Sequence, residues 1–435
     1  MYILLILLAG VVIRLISLNQ SLWLDEATSA LVARMSIGDM FTKFLPSDFH
    51  PPLYYLLLRY WSMIFGSSEV VLRIPSLIFG VGTIYLTYLI GKKLFSKNVG
   101  LTASLLLATS GLAVYYSQEA RMYSMASFLV ALAIYLYIEN RYLFLSLTIA
   151  AIGMTDYVSL FILPVFMFIG IKKKNIWLIN IPLITVFIFW AQIFLRQLTA
   201  GAAIKSEALG WWQILGVVNF KNIALIPIKF AIGRIRFDNH AIYGLVVLVI
   251  FVVFTYVIAK TKKVPNLIWL WLLMPIFIGI IVGFVIPTLS YFRFLFCLPA
   301  LYILLACGLD NLKGIKYKTF LFMLLAINSL TTGYYLSNPR FQREDWRGLT
   351  SMLENRAMVL PSASQKEAFI YYKKGSQVID IDGFNGDINE IWLSRYVSTV
   401  FDPGDLAQKK ITSLGYNKAR EYDFNGIVVW EYKKP

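Results

Sequence analysis

The sequence predicts a polytopic α-helical membrane protein with a small C-terminal α/β domain. Of its 435 residues, 58% are hydrophobic and 15% are charged, and the mean hydropathy is +0.67. Multi-pass membrane proteins have this composition, whereas soluble domains do not. A membrane-spanning helix needs roughly 20 apolar residues, and eleven runs approach or reach that length: 2–18, 74–91, 99–116, 122–138, 142–155, 157–171, 176–195, 241–259, 266–287, 292–309 and 319–336.

The positive charge is a topology signal and does not indicate a nucleic-acid partner. The net charge is +16, yet residues 338–435 hold 14 Lys/Arg and 13 Asp/Glu, so almost all of the excess lies in the membrane part. Alternate connections between the spans carry thirteen Lys/Arg and are predicted to be cytoplasmic by the positive-inside rule. They are 92–97, 139–141, 172–174, 260–263 and 312–318.

The apolar segment 51–66 is predicted to lie in the outer interface without crossing. If it crossed, every one of these basic connections would move outside. Residues 19–72 therefore form one long outer loop with interfacial helices. The same assignment of loops to the two sides of the membrane places 338–435 on the extracytoplasmic side. Residues 1–337 then form the membrane domain of a multi-pass cell-membrane protein.

The C-terminal hundred residues show the pattern of an α/β domain. We predict helices over 343–356 and 365–375 and strands over 357–363, 377–381 and 426–434. The domain is expected to recognise an acceptor or to cover the active site.

Ionisable residues are rare within the apolar runs and collect on the outer loops. Arg14 is the main exception, and we expect it to snorkel towards the outer end of its helix. A transporter would be expected to keep ionisable or helix-breaking features near the midplane and often to show repeats. Polar chemistry along one membrane face favours an enzyme whose substrates arrive partly from the lipid.

Several motifs together resemble the polytopic glycosyltransferases of the GT-C fold. The likeness is greatest to the branch with protein O-mannosyltransferases and lipid A aminoarabinose transferases (glycosyltransferase family 39-like), and it covers the whole chain. The motifs that carry it are WLDEA (23–27), HPPLYYLLL (50–58), RIPSLIFG (73–80), LLLATSGLAVYYSQEARMYSM (105–125), YFRFLFCLPALYILLA (291–306) and DWRGL (345–349).

The resemblance implies sugar transfer from a polyprenyl-phosphate-linked monosaccharide to an extracytoplasmic glycan, lipid or protein acceptor, with inversion at the anomeric carbon. It makes Asp25 the general base, since the acceptor hydroxyl must lose its proton during attack. Glu26 is the second catalytic candidate. It either orients Asp25 or joins it in holding a divalent cation, for which paired carboxylates are suitable ligands; no cofactor is otherwise indicated.

Further candidates for substrate binding lie in or near these motifs: His50, Tyr54, Arg73, Glu119, Arg121, Tyr123, Asp156 and Arg293. Guanidinium groups suit the lipid phosphate, so Arg293, Arg121 and Arg73 are phosphate candidates. The family often has Lys or His before an aromatic where this sequence has TDY (155–157), and Asp156 cannot supply a positive charge there.

Structural readings of the same residues remain open. Asp25 and Glu26 also suit the first turn of a helix, Glu119 and Arg121 could pair with each other, and Arg293 could be an interfacial anchor. At the level of the whole protein, the alternatives are a transporter or flippase for polyprenyl-linked sugars and a non-catalytic membrane scaffold.

Overall fold

The computed structural model describes residues 1–171, 176–207, 209–362, 366–372 and 377–435, so the predicted basic connection 172–174 lies outside the described residues. The helices of the membrane part are α1 Tyr2–Leu15, α2 Leu24–Arg34, α3 Ile37–Asp39, α4 Leu53–Phe65, α5 Glu69–Leu94, α6 Lys97–Thr109, α7 Gly111–Ser117, α8 Tyr123–Ile138, α9 Tyr142–Gly153, α10 Leu163–Gly170, α11 Ile181–Glu207, α12 Leu209–Ile214, α13 Phe220–Ile232, α14 His240–Ala259, α15 Asn266–Gly283, α16 Leu298–Asp310 and α17 Gly314–Ser337. Short 3₁₀ turns at Val158–Ile162, Ile176–Asn180 and Tyr291–Cys297 lead into α10, α11 and α16.

Every predicted span falls on helix in this structure. Within the described residues, six helices are long and apolar enough to cross a membrane, and the bent pair α6–α7 brings the number to seven. The other predicted spans correspond to shorter apolar helices, namely Tyr2–Leu15, Tyr123–Ile138, Tyr142–Gly153 and Val158–Gly170. The chain is therefore a multi-pass membrane protein.

Segment 19–72 folds into helices α2, α3 and α4. Helix α4 has 13 residues, about 20 Å of helix, which is shorter than a bilayer core. It buries Tyr54, Tyr55 and Leu58 and leaves Ile64 exposed at its C-terminal end. This geometry agrees with the predicted interfacial helix.

The break between α6 and α7 is stabilised by side chains from other helices. The two helices meet at Ser110 at an angle of 63°, and a break inside the membrane part requires new partners for the freed carbonyl groups. Those partners are Arg14 for Ala108 (2.9 Å), Asn328 for Leu106 (2.8 Å) and Thr332 for Thr109 (2.7 Å).

The prediction that Arg14 snorkels is wrong. Its side chain is fully buried, and besides Ala108 it donates to Ser117 Oγ (3.0 Å) and to the Gly10 carbonyl. A buried guanidinium is tolerated there because the broken helix presents carbonyl oxygens that would otherwise lack a hydrogen-bond donor.

The C-terminal domain contains a five-stranded sheet flanked by helices. Its elements are α18 Trp346–Met352, β1 Ala357–Leu360, α19 Glu367–Tyr372, β2 Gln377–Asp380, β3 Glu390–Ser394, α20 Ser398–Phe401, α21 Leu406–Ser413, β4 Asn417–Asp423 and β5 Val428–Lys433. The order is β2-β1-β3-β5-β4, with β2, β1 and β3 parallel and β5 antiparallel to β3 and β4. The three predicted strands are present; β3 and β4 were not predicted.

The sheet packs on the membrane part through one of its faces. Side chains alternate between the faces of a strand, so Val359 and Leu393 pack with Ile411 on one side. Met358 and Trp392 face the other way and join the hydrophobic core that continues into the membrane helices. The two parts of the chain therefore share one core.

Close backbone packing in the membrane part gives the first prediction. A Cβ at Gly308 of α16 would lie 2.0 Å from the Val257 carbonyl oxygen of α14. Gly308→Ala should lower the free energy of unfolding by about 1–3 kcal/mol, because backbone atoms cannot move aside as side chains do. Thermal melting in detergent measures this.

Gly244→Ala is the matched control, since that helical position has nothing within 4 Å of the new methyl group. It should be neutral or slightly stabilising. An equal loss of stability in both variants would contradict the packing of α16 on α14.

Candidate active site

Asp25 and Glu26 lie in the first turn of α2, where acidic side chains interact favourably with the helix dipole. Adjacent helix residues point in different directions, and the two carboxylates have different surroundings. The Asp25 side chain is 44% exposed, whereas Glu26 is fully buried. This difference assigns them separate roles.

Glu26 is held by a bidentate ion pair. Arg73 Nε and Nη2 donate to its two oxygens at 2.8 and 2.5 Å, and the Ala120 N–H donates to Oε1 at 2.7 Å. Burial opposes ionisation of this carboxyl, but Arg73, Arg343 and the Ala120 N–H together hold its pKa below the ordinary value. Glu26 is thus a buried structural anion.

Three predicted substrate-binding or catalytic roles do not fit this packing. Glu26 has no free oxygen to orient Asp25 or to share a cation with it. Arg73 is equally buried, and its remaining N–H groups donate to the carbonyls of Leu18, Gln20 and Ser21. Tyr54 is buried against Ser76 at 3.2 Å. The reason is common to all three: their polar groups satisfy one another inside the protein.

The predicted metal pair is not arranged as a site. Among the described residues, no group of three or more His, Cys, Asp or Glu side chains is placed to hold an ion. The oxygens of Glu26 are taken by Arg73 and Ala120. Asp25 and Glu26 therefore do not fit a shared divalent cation.

Asp156 also has a local structural role. It is buried, and one carboxylate oxygen accepts from the N–H (2.9 Å) and the hydroxyl (2.7 Å) of Ser159. These two hydrogen bonds connect Asp156 to the start of the 3₁₀ turn Val158–Ile162. The prediction that Asp156 binds substrate finds no support in its position.

Arg121 contacts Asp25 through a long ion pair. Its Nη2 lies 3.7 Å from Asp25 Oδ2, and its Nη1 lies 3.5 Å from the Tyr55 hydroxyl. Arg121 Nε is buried and has no hydrogen-bond partner. Arg121 therefore turns towards Asp25, and the alternative pairing with Glu119 is wrong.

The contacts continue from Arg121 to the predicted histidine. The Tyr55 hydroxyl donates to Asp48 at 2.8 Å, and His50 Nδ1 lies 3.5 Å from the same carboxylate. Burial opposes ionisation of Asp48, but His50 and Arg121 hold its pKa below the ordinary value. His50 thus belongs to the same polar network as Asp25, connected through Asp48 and Tyr55.

Glu119 pairs with an arginine from the segment after the last membrane helix. Arg343 Nη2 donates to Glu119 at 3.0 Å, and Arg343 Nε lies 3.7 Å from Glu26. Burial raises the pKa of Glu119 to about 7, against the opposing effect of the Arg343 charge. Arg343 joins the C-terminal segment to both buried glutamates. Sequence analysis placed it at the start of a predicted helix, and no local pattern indicates that it pairs with glutamates more than two hundred residues earlier.

An aromatic cluster lies next to these charges. Tyr123 packs edge-on against Phe292 at 5.0 Å and Tyr116 at 5.4 Å. Phe292 is next to Arg293 in the chain, and Tyr123 follows two residues after Arg121, which contacts Asp25. The predicted residues Asp25, Arg121, Tyr123 and Arg293 are thus brought to one region.

Besides Arg343, Arg234 is another residue near the candidate site that sequence analysis did not identify. It is exposed and lies 4.5 Å from the centre of the Tyr115 ring, and Arg343 lies 3.7 Å from the same ring. In the part of the chain that the structure describes, neither Arg234 nor Arg293 has a carboxylate at ion-pair distance, and Arg293 donates to the Pro287 carbonyl at 2.8 Å.

Comparison with known proteins agrees with this architecture. Residues 49–195 match the family model of dolichyl-phosphate-mannose-protein mannosyltransferases. No curated protein sequence is similar enough to count as a match.

Solved structures resemble nearly the whole chain. ArnT from Cupriavidus metallidurans in the apo state is 11% identical, with a TM-score of 0.55 over 99% of this chain and 97% of ArnT. The same enzyme bound to undecaprenyl phosphate gives 10% identity, a TM-score of 0.55 and the same coverage. The Archaeoglobus fulgidus oligosaccharyltransferase AglB, in complex with an inhibitory peptide and a dolichol-phosphate, is 13% identical, with a TM-score of 0.55 over 99% of this chain and 74% of AglB.

The two adjacent acids give the second prediction. Glu26→Gln should lower the free energy of unfolding by about 3–5 kcal/mol, because it leaves the Arg73 charge buried without its partner. Asp25→Asn should change it by less than about 1 kcal/mol, since the 3.7 Å contact of an exposed carboxylate contributes little. Thermal melting of both variants in detergent measures the difference.

The pH dependence has a defined sign. The pKa of Glu26 is lower in the folded chain than its ordinary value, so its stabilisation is present above that value and is lost as the pH falls below about 4.5. Glu26→Gln should remove this part of the acid sensitivity. Equal melting temperatures for Glu26→Gln and Asp25→Asn would contradict the assignment of roles.

Proposed function

We propose, on the premise that this chain is a membrane glycosyltransferase of the GT-C fold, that it moves a sugar from a polyprenyl-phosphate carrier to an acceptor hydroxyl on the extracytoplasmic side, with inversion. The observation that carries the proposal is the position of Asp25. It is an exposed carboxylate beside a buried arginine, at the end of the helices where segment 19–72, the turn 118–122 and the C-terminal domain meet.

Asp25 serves as the general base. Its side chain is 44% exposed, and the Arg121 guanidinium lies 3.7 Å away, too far to occupy the carboxylate with a short hydrogen bond. The acceptor hydroxyl transfers its proton to Asp25 as its oxygen attacks the anomeric carbon. On the opposite side, the bond from that carbon to the phosphate oxygen breaks, and the lipid phosphate leaves with the electron pair.

The geometry of in-line attack separates the cations into two groups. A hydrogen bond from the acceptor to Asp25 and a near-attack distance to the sugar place the anomeric carbon roughly 6 Å from the carboxylate. The phosphate lies farther still. Arg121 touches Asp25 and therefore orients the base, whereas the phosphate needs cations beyond it.

Arg293 and Arg234 are the cations that suit the phosphate. Neither is paired with a carboxylate among the described residues, and guanidinium groups bind phosphate oxygens through charge-assisted hydrogen bonds. Arg293 follows Phe292, whose ring packs on Tyr123 at 5.0 Å. The undecaprenyl phosphate bound to ArnT and the dolichol-phosphate in the AglB complex support a lipid phosphate as the carrier.

Removal of the base gives the third prediction. Asp25→Asn should lower the transfer rate by about 10²–10⁴-fold, the usual contribution of a general base, with donor affinity unchanged. The assay uses purified protein in detergent with a labelled polyprenyl-phosphate hexose and candidate acceptors. Asp39→Asn is the control, an exposed acid of the same segment that pairs with Lys43.

Transfer in detergent needs no sealed compartment, so it also distinguishes an enzyme from a flippase. If labelled sugar moved only in vesicles, or if Asp25→Asn transferred at the wild-type rate, the proposed activity would be wrong.

Loss of a phosphate cation gives the fourth prediction. Arg293→Ala and Arg234→Ala should each raise the donor KM about 10- to 100-fold, as expected for loss of a charged hydrogen bond. Arg236→Ala, which changes an exposed arginine two residues from Arg234, is the control and should leave KM unchanged. Full donor affinity in both site variants would remove them from the phosphate site.

Sidedness gives the fifth prediction. A cysteine at exposed Lys409 of the C-terminal domain should react with an impermeant thiol reagent added to intact cells, and a cysteine at exposed Lys316 should not. The native Cys297 and Cys307 are buried and should contribute little labelling. The reverse pattern would invert the proposed orientation.

A further inference from the structure

We propose that Tyr372 of the C-terminal domain is a positioning residue for Asp25. Through Tyr372, the domain holds the segment that leads into the catalytic helix and so sets the turnover rate. This inference rests on the proposed function, in which Asp25 is the base. It also assigns the domain a role different from acceptor recognition.

The segment 18–22 determines where Asp25 lies, because it joins the end of α1 to the start of α2. The membrane part holds one side of it. Arg73 donates to the carbonyls of Leu18 (2.8 Å), Gln20 (2.6 Å) and Ser21 (2.9 Å). These three hydrogen bonds from one guanidinium fix the carbonyl groups of this segment.

The C-terminal domain holds the N–H and side-chain groups of the same segment. The Leu22 N–H donates to the Tyr372 hydroxyl at 2.7 Å, and the Ser21 hydroxyl lies 3.3 Å from it. The Tyr372 hydroxyl in turn donates to Glu69 at 3.1 Å. Tyr372 therefore links the start of α5 to the residue two positions before α2.

Two neighbouring backbone groups add to this contact. The Arg347 N–H donates to Ser21 Oγ at 3.1 Å, and the Arg343 N–H donates to Gln20 Oε1 at 2.8 Å. Residues 20, 21 and 22 are thus each bonded to the C-terminal domain or to the segment that leads into it.

Loss of the Tyr372 hydroxyl leaves the Leu22 N–H without its partner in a buried position. A buried donor without an acceptor is unfavourable, so the segment should shift to recover one. A displacement of about 1 Å at a catalytic group can cost 10²-fold in rate. The effect should therefore appear in kcat and not in substrate affinity.

Tyr371 provides a matched control on the same helix. Its hydroxyl donates to the Ser67 carbonyl at 2.6 Å, and Arg34 stacks on its ring at 4.8 Å. Tyr371 thus docks α19 on the membrane part as Tyr372 does, but its contacts lie outside residues 18–22. Removal of either hydroxyl should weaken the packing of α19 on the membrane part. Only Tyr372→Phe should also remove a hydrogen bond to residues 18–22.

The experiment compares Tyr372→Phe with Tyr371→Phe in the full-length protein. Tyr372→Phe should lower kcat at least tenfold, with donor and acceptor KM unchanged and a melting temperature equal to that of Tyr371→Phe. Ser21→Ala should lower kcat in the same direction by a smaller factor. An increase in acceptor KM at constant kcat, or equal kcat in the two tyrosine variants, would overturn the inference.

Hydrogen exchange separates this inference from the proposed activity. Exchange at residues 19–25 should become faster in Tyr372→Phe and stay at the wild-type rate in Tyr371→Phe, whatever the transfer assay shows. Unchanged exchange in Tyr372→Phe would refute the positioning contact. Faster exchange, with no transfer by the wild type, would uphold the contact and refute the proposed activity alone.

Discussion

The buried ion pair between Glu26 and Arg73 holds the candidate site together. Taking two charges out of water is costly, and a buried pair is favourable only when its geometry is good and its other polar groups are satisfied. Both conditions are met, since Arg73 binds the two Glu26 oxygens and three carbonyls, and the Ala120 N–H completes the carboxylate. Helix α2, helix α5 and the turn 118–122 are thereby fixed to one another.

This pair explains how two adjacent carboxylates acquire different surroundings. Glu26 points into the protein and is consumed by structural bonds, which leaves Asp25 on the exposed side of the same helical turn. The 3.7 Å contact with Arg121 then keeps a positive charge beside Asp25 and leaves the Asp25 side chain 44% exposed to solvent. The buried Glu26 thus fixes the position of Asp25, as precise placement of the proposed base requires.

The C-terminal domain is part of this arrangement and not an appended module. Arg343 connects it to Glu26 and Glu119, Tyr372 connects it to the segment before α2, and its sheet shares a hydrophobic core with the membrane helices. The geometry of the candidate site therefore depends on residues more than three hundred positions apart in the chain.

The sequence alone determined the class of protein, the positions of the membrane helices, the interfacial segment and the acid at the start of α2, because hydropathy and charge act over short stretches of chain. It could not decide which of Asp25 and Glu26 is buried, that Arg14 stabilises a broken helix, or that Arg73 and Asp156 are structural. It also gave no sign that Arg234 and Arg343 reach the site. Those properties depend on which distant groups become neighbours, and only the tertiary structure brings a guanidinium and its acceptors together.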